Sequence, residues 1–159
     1  MKIGLFFGSY NPIHIGHLVL AEEARDQLGL VCVYFVPAGE PPHKRDRRLA
    51  PVEDRVHMTR LAIAGNRAFE VSRVDADRPG PHYTVDLVRI LKAQLPPTVE
   101  LYFLMGYDSL VDLPKWYHPA ELLASNQMQG FLAAIDKMYD RVIIDSPPAC
   151  GFADVLVLG

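Results

Sequence analysis

The chain has 159 residues, half of them apolar and 22% charged, with 16 Lys and Arg against 19 Asp and Glu. This length and composition fit one globular domain, and they exclude a disordered chain or a small scaffold that depends on disulfides. The formal charge of −3 argues against recruitment of nucleic acid by a basic field. Because no apolar run is long enough to cross a bilayer, we expect a cytoplasmic protein with neither a nucleic-acid nor a membrane partner.

Apolar runs bounded by Gly, Pro, Asp or charged residues predict strands, and apolar residues at helical spacing predict helices between them. The strands are expected at 2–7, 31–36, 69–75, 99–105, 141–145 and 154–158. The helices are expected at 16–28, 52–65, 83–95 and 119–139. Strands that are apolar throughout and separated by helices indicate a buried parallel sheet. We therefore predict one α/β domain over 1–159, a doubly wound, Rossmann-like parallel sheet of five to six strands with helices on both faces.

The loop after the first strand, residues 8–17, reads GSYNPIHIGH and leads directly into a helix. In a parallel sheet this is the edge at which ligands bind, and a helix N-terminus there favours an anion. His14 and His17 are placed to donate hydrogen bonds to phosphate oxygens and to stabilise the charge on departing pyrophosphate. Two other roles fit an H-x-x-H pair, namely capping the helix or binding an adventitious metal ion.

The pattern G-x-[FY]-x-P-x-H-x-G-H in this loop resembles the signature of the nucleotidyltransferases that share the H-x-G-H fingerprint with class I aminoacyl-tRNA synthetases. Over residues 1–124 the chain resembles, more specifically, bacterial nicotinate mononucleotide adenylyltransferase. This narrower resemblance rests on the passages PPHK, HYTVDL and MGYDSL, the last of which is followed by LPKW. That resemblance implies that His14 and His17 hold the ATP phosphates. It also implies an ATP site that includes Gly8, Ser9 and Tyr10.

The three later passages supply the other candidate site residues. Gly106 would allow close approach of the nucleotide and Asp108 would accept from ribose hydroxyls or the ring amine, although Asp108 is equally a candidate helix cap. The resemblance implies ATP and nicotinate or nicotinamide mononucleotide as partners. Magnesium would accompany the ATP.

The mononucleotide side of the predicted site draws on the loop at 37–51 and the start of the third helix. Lys44 suits a phosphate, or belongs to a solvated basic loop. Tyr83 and Thr84 are implied to contact the pyridine carboxylate, with Thr84 as a helix N-cap the alternative. Trp116 offers a flat face for the pyridine ring, or packs in the core.

Beyond residue 124 the resemblance ends, since the I-S-S-T-x-[IL]-R passage of the family, which completes the triphosphate site, has no match. Residues 125–159 resemble instead the Walker B region of P-loop ATPases of the bacterial tyrosine-kinase and partitioning kind. Asp145 would be the magnesium ligand there, or a purely structural residue, but no phosphate loop accompanies it. We therefore interpret 125–159 as a foreign helix-strand-strand segment that completes the sheet of an engineered chimera.

Two functions follow from these observations. The first is transfer of AMP from ATP to nicotinate mononucleotide, which gives the deamido-NAD dinucleotide and pyrophosphate, weakened by the missing hydroxyls and Arg. The second is a non-catalytic nucleotide-binding scaffold. Adenylylation of phosphopantetheine by a related H-x-G-H family is disfavoured by Lys44, Thr84 and Trp116.

Overall fold

In the computed structural model the chain is described over residues 1–39, 49–106 and 113–118, together with the backbone of 156–158. Three helices and four strands alternate in the first 106 residues, followed by a short 3₁₀ turn and a fifth strand. The strands are β1 (Lys2–Gly8), β2 (Cys32–Pro37), β3 (Phe69–Val71), β4 (Glu100–Met105) and β5 (Leu156–Leu158). The helices are α1 (Ile15–Leu28), α2 (Val52–Ile63) and α3 (Thr84–Gln94), and the 3₁₀ turn is Leu113–Lys115.

The sheet has the strand order β3-β2-β1-β4-β5, and its first four strands are parallel. In the register, Phe6 of β1 lies opposite Phe35 on one side and Leu104 on the other. The prediction of a parallel α/β sheet is thereby confirmed for four strands. The last strand differs, because the backbone of Leu156–Leu158 pairs antiparallel with β4. The predicted parallel orientation of 154–158 is therefore wrong, and the strand expected at 141–145 and the helix expected at 119–139 lie outside the described residues.

Helices cover both faces of the sheet, as predicted. Neighbouring residues of β1 point to opposite faces because side chains alternate along a strand. Phe6 joins a cluster with Ala21 and Ala24 of α1 and with residues of β2 and α2. Leu5 joins a second cluster with Leu87 and Leu91 of α3. Helices α1 and α2 thus pack on one face and α3 on the other.

Element boundaries follow local chemistry. Helix α1 ends where Gly29 adopts φ 63°, a left-handed conformation that costs glycine little, and its N–H contacts the carbonyl oxygens of Arg25 and Asp26. Strand β3 is shorter than the predicted 69–75, since Asp77 N–H donates to the Arg73 carbonyl at 2.9 Å and closes a turn. Among the described residues, no helix is long and apolar enough to cross a membrane.

Candidate active site

The candidate site lies at the edge where the parallel strands end, which we call the carboxyl edge. β1 ends at Gly8, and Gly106 directly follows the last residue of β4, the strand that pairs with β1. The strand order reverses at β1, since β2 and β3 lie on one side of it and β4, the next strand along the chain, lies on the other. In parallel α/β sheets ligands collect in the crevice at such a reversal, outside the carboxyl ends of the strands. The two glycines therefore bracket the expected nucleotide position.

His14 and His17 lie together at the start of α1, with ring centroids 3.7 Å apart and an interplanar angle of 37°. His14 is the N-cap residue in extended conformation, with φ −142° and ψ 171°. The His17 ring also meets the edge of the Tyr10 ring at a centroid distance of 5.2 Å. The first turn of α1, all of which the structure describes, holds no carboxylate. An anion at this helix start therefore meets two imidazoles and the positive end of the helix dipole.

A backbone hydrogen bond selects the tautomer of His17. The His14 N–H donates to Nδ1 of His17 at 3.2 Å. A nitrogen that accepts a hydrogen bond carries no proton, so the proton of neutral His17 is on Nε2. The imidazole of His17 is thus held as an Nε2–H donor, the form required to stabilise an oxyanion.

The glycines of the loop make room for its rings. A Cβ on Gly16 would lie 3.1 Å from Nδ1 and 3.2 Å from Cε1 of His14. A Cβ on Gly8 would lie 2.9 Å from Cε1 of Tyr10. At both positions a Cβ would therefore crowd a side chain of the same loop.

Tyr10 has its side chain in the core, only 2% exposed, and its hydroxyl donates to the Phe6 carbonyl at 2.5 Å. Burial raises the pKa of this hydroxyl well above its ordinary value. The backbone of Tyr10 has φ 47°, a conformation that non-glycine residues rarely adopt. Since the ring is used in packing, Tyr10 shapes the loop, and a contact with ATP would have to come from its backbone.

A second group of candidate residues gathers at the start of α3. Tyr83 is the N-cap residue and Thr84 the first residue of the helix, so Thr84 is not the N-cap. The Tyr83 ring stacks on Tyr117 at 4.3 Å with an interplanar angle of 22°. Trp116 is half-buried and meets the edge of Phe103 of β4 at a centroid distance of 6.5 Å. Aromatic faces thus cluster next to the end of β4.

A buried polar network that was not predicted from the sequence lies beneath these loops. The Arg55 guanidinium, 2% exposed, donates to backbone carbonyl oxygens of Ser9 and Gly39 at 2.7 and 2.8 Å. Gly39 N–H donates to the fully buried Asp75 carboxylate at 2.8 Å. Burial lowers the pKa of Arg55, and the charge of Asp75 offsets part of that effect. The sequence does contain a signal that Arg55 is buried, because this residue lies next to Val56 on the apolar side of α2.

Three predicted site residues, Lys44, Asp108 and Asp145, lie outside the described residues. In the part of the chain that the structure describes, no three His, Cys, Asp or Glu side chains are grouped as a metal site. The described part of the candidate site therefore consists of the histidine pair, the loop glycines and the aromatic cluster.

Comparison with known proteins identifies the class to which this fold and histidine loop belong. The sequence profile described as Cytidylyltransferase-like matches residues 5–147, and the chain belongs to that family. A relative from Thermomicrobium roseum, named a probable nicotinate-nucleotide adenylyltransferase, is 42% identical over 92% of this chain and 74% of its own length. Within the family, the chain therefore belongs with the nicotinate-nucleotide adenylyltransferases.

Two further proteins show the extent of the similarity. A relative of the same name from Gloeobacter violaceus is 48% identical to this chain. The match covers 77% of this chain but only 59% of the relative's length. The solved nicotinic acid mononucleotide adenylyltransferase of Plasmodium falciparum, in complex with NaAD, matches with a TM-score of 0.64 at 20% identity. That match covers 77% of this chain and 60% of the other. At this identity the structural match shows the shared fold alone.

The matches also concern the segment after residue 124. The family profile runs to residue 147, and the alignment with the T. roseum relative covers 92% of the chain. Both extend past residue 124. Neither supports a splice between two families or a likeness of the tail to P-loop ATPases.

Proposed function

We propose that this protein transfers AMP from ATP to nicotinate mononucleotide, with formation of the deamido-NAD dinucleotide and release of pyrophosphate. The single observation that carries the proposal is that the rings of His14 and His17 lie side by side at the start of α1, at the carboxyl edge. The names of the relatives support the choice of reaction.

The reaction is a displacement at the α-phosphorus of ATP. An oxygen of the mononucleotide phosphate attacks in line, the new P–O bond forms, and the bond to the bridging oxygen of pyrophosphate breaks. Negative charge builds on the leaving group. His17, held as an Nε2–H donor, and the adjacent His14 stabilise that charge, and no covalent intermediate is needed. Catalysis is then positioning plus electrostatics.

Magnesium is proposed to enter with ATP, bound mainly by phosphate oxygens, as is common for this ion. Among the described residues, no three His, Cys, Asp or Glu side chains are grouped as a metal site. Bound to the phosphate oxygens, magnesium would neutralise charge on the triphosphate.

The remaining candidate residues divide between the two substrates. Gly8, Ser9 and the backbone of Tyr10, together with Gly106 and Asp108, are proposed to contact ATP. The mononucleotide is proposed to stack on Trp116, with its carboxylate at Tyr83 and Thr84 and its phosphate at Lys44. The position of Trp116 beside Phe103, next to the end of β4, supports this assignment.

A non-catalytic nucleotide-binding scaffold is the second candidate function. Residues 1–159 contain no match to the I-S-S-T-x-[IL]-R passage, whose hydroxyls and Arg support the triphosphate in the resembled family. Loss of one such contact commonly costs about 2–4 kcal/mol at the transition state. Turnover distinguishes the two functions.

The test compares His17→Ala with His57→Ala, which removes an exposed imidazole from α2. Pyrophosphate release from ATP and nicotinate mononucleotide should fall about a hundredfold in the first variant and stay unchanged in the second. Calorimetric titration with ATP shows whether the fold still binds nucleotide. Equal turnover of both variants would refute the phosphate role of His17, and binding of ATP without any turnover of the unmodified protein would establish the scaffold.

We also propose that residues 1–159 form one domain in which 125–159 completes the sheet. Backbone pairing of Leu156–Leu158 with β4 supports this arrangement. Limited proteolysis tests it, since cleavage near residue 124 should destabilise the whole chain. A stable fragment 1–124 would contradict it. The engineered origin of the tail stays a hypothesis, with the matches beyond residue 124 counting against it.

A further inference from the structure

Arg55 joins three chain segments that meet at the carboxyl edge. Its guanidinium donates from Nη1 to the Ser9 carbonyl at 2.7 Å, from Nη2 to the Gly39 carbonyl at 2.8 Å and from Nε to the Ala50 carbonyl at 3.0 Å. Ser9 follows β1 in the loop that carries the histidine pair. Gly39 follows β2, and Ala50 precedes α2. One buried side chain therefore fixes the relative position of all three segments.

The Gly39 peptide is also held from its other side. Its N–H donates to Oδ2 of Asp75 at 2.8 Å, and Oδ1 of Asp75 accepts from Nε of Arg78 at 2.6 Å. A Cβ on Gly39 would lie 2.3 Å from Cε1 of the buried His82 ring. Gly39, just after β2, therefore has little freedom to move relative to Arg55.

The guanidinium is suited to this task because its planar fork reaches several acceptors in fixed directions, which a lysine ammonium on a flexible stem does not. All three of these hydrogen bonds end on backbone carbonyl oxygens. Burial of a cation is costly, so its placement under the loop at 8–17 calls for a role beyond packing.

We propose that Arg55 is a positioning residue, which acts through Ser9 to set the histidine loop against the segment after β2. The proposal rests on the proposed adenylyl transfer. Displacement of His14 and His17 by a fraction of an ångström would impair alignment of the phosphates, and misplacement by 1 Å commonly costs about a hundredfold in rate. The predicted deficit is therefore in kcat, with little change in the KM for the mononucleotide.

The experiment compares Arg55→Lys with Thr59→Val. Thr59 is fully buried one turn further along α2, and its hydroxyl donates to the Arg55 backbone carbonyl at 2.7 Å. The control therefore removes a buried hydrogen bond from the same helix and leaves the guanidinium contacts intact. Arg55→Lys should lower kcat at least about tenfold at a temperature well below its melting point, whereas Thr59→Val should keep its kcat.

Amide exchange gives a readout that does not depend on activity. The N–H groups of Gly39, Ala50 and His14 donate to side-chain acceptors at the edge, and that of Val33 donates to Ala68 within the sheet. In Arg55→Lys the first three should exchange at least about tenfold faster while Val33 keeps its rate.

Unchanged exchange of these amides, or an equal kcat deficit in Thr59→Val, would overturn the proposal. Should the lysine variant not fold, Asn11→Ala removes an exposed link between the same loops, in which Asn11 Oδ1 accepts from Ala50 N–H at 2.9 Å. Because the guanidinium contacts stay in place in that variant, the His14 and Gly39 amides should exchange within about twofold of their original rates, and an acceleration of about tenfold or more would overturn the proposal. If the unmodified protein shows no turnover but amide exchange still accelerates in Arg55→Lys, the adenylyl transfer is refuted and the positioning role stays supported.

Discussion

Replacement of Gly16 by alanine should separate stability from activity at the start of α1. The new Cβ would lie 3.1 Å from Nδ1 and 3.2 Å from Cε1 of His14, a few tenths of an ångström closer than ordinary van der Waals contact. Because His14 is exposed, its ring can move away at little cost to the fold. Alanine inside a helix is favoured over glycine by about 0.5–1 kcal/mol. We therefore expect a melting temperature that is unchanged or raised by about 1–4 °C.

The same displacement should reduce activity, because it moves the His14 ring away from its contact with the His17 ring. Loss of a phosphate contact at the transition state should lower the rate of pyrophosphate release about tenfold or more. The matched control is Gly65→Ala, since a Cβ at Gly65 would meet nothing within 4 Å. The control should keep full turnover. Full turnover of Gly16→Ala, with thermal unfolding recorded on the same sample, would refute the requirement for this ring arrangement.

Three further predictions concern other parts of the molecule. Gly39→Ala should cost about 1–3 kcal/mol of unfolding free energy in urea, because its Cβ would overlap the His82 ring. His82→Ala should relieve most of that cost, and strictly additive effects in the double variant would contradict the overlap. Burial, with a contribution from Glu70, raises the pKa of the Cys32 thiol to about 11. In Cys150→Ser protein, labelling at pH 8 should therefore be about a hundredfold slower than that of free cysteine, and rapid labelling would contradict the burial. Trp116→Ala should weaken binding of nicotinate mononucleotide about tenfold in calorimetry with little effect on ATP, whereas equal losses would indicate general misfolding.

The spacing of apolar residues in the sequence was sufficient to predict the helices and strands that bury a continuous apolar face. Helices expected at 16–28 and 83–95 are observed at Ile15–Leu28 and Thr84–Gln94. The predicted third strand was too long, since Val74 is as apolar as a strand residue, whereas the chain after Val71 turns through the hydrogen bond from Asp77 N–H to the Arg73 carbonyl. Asp75 in this turn accepts from Gly39 N–H across 36 residues of sequence. The local pattern contains no information on that contact.

The candidate site was only partly accessible to sequence reasoning. The H-x-G-H spacing located the histidine pair, because residues three apart at a helix start are neighbours in any helix. The tautomer of His17 depended on the backbone direction at His14, and the core position of Tyr10 depended on how its ring packs between strands and helix. Arg55 was missed because an arginine in an amphipathic helix is ordinarily assigned to the solvent side.

The most direct test of the central claim is identification of the product. The protein is incubated with ATP labelled at the α-phosphate, magnesium and nicotinate mononucleotide, with nicotinamide mononucleotide in a parallel sample. Label should appear in a dinucleotide together with an equal amount of pyrophosphate, and His17→Ala should form far less of it. Nucleotide binding in calorimetry without any labelled dinucleotide would contradict adenylyl transfer and leave a nucleotide-binding fold without this chemistry.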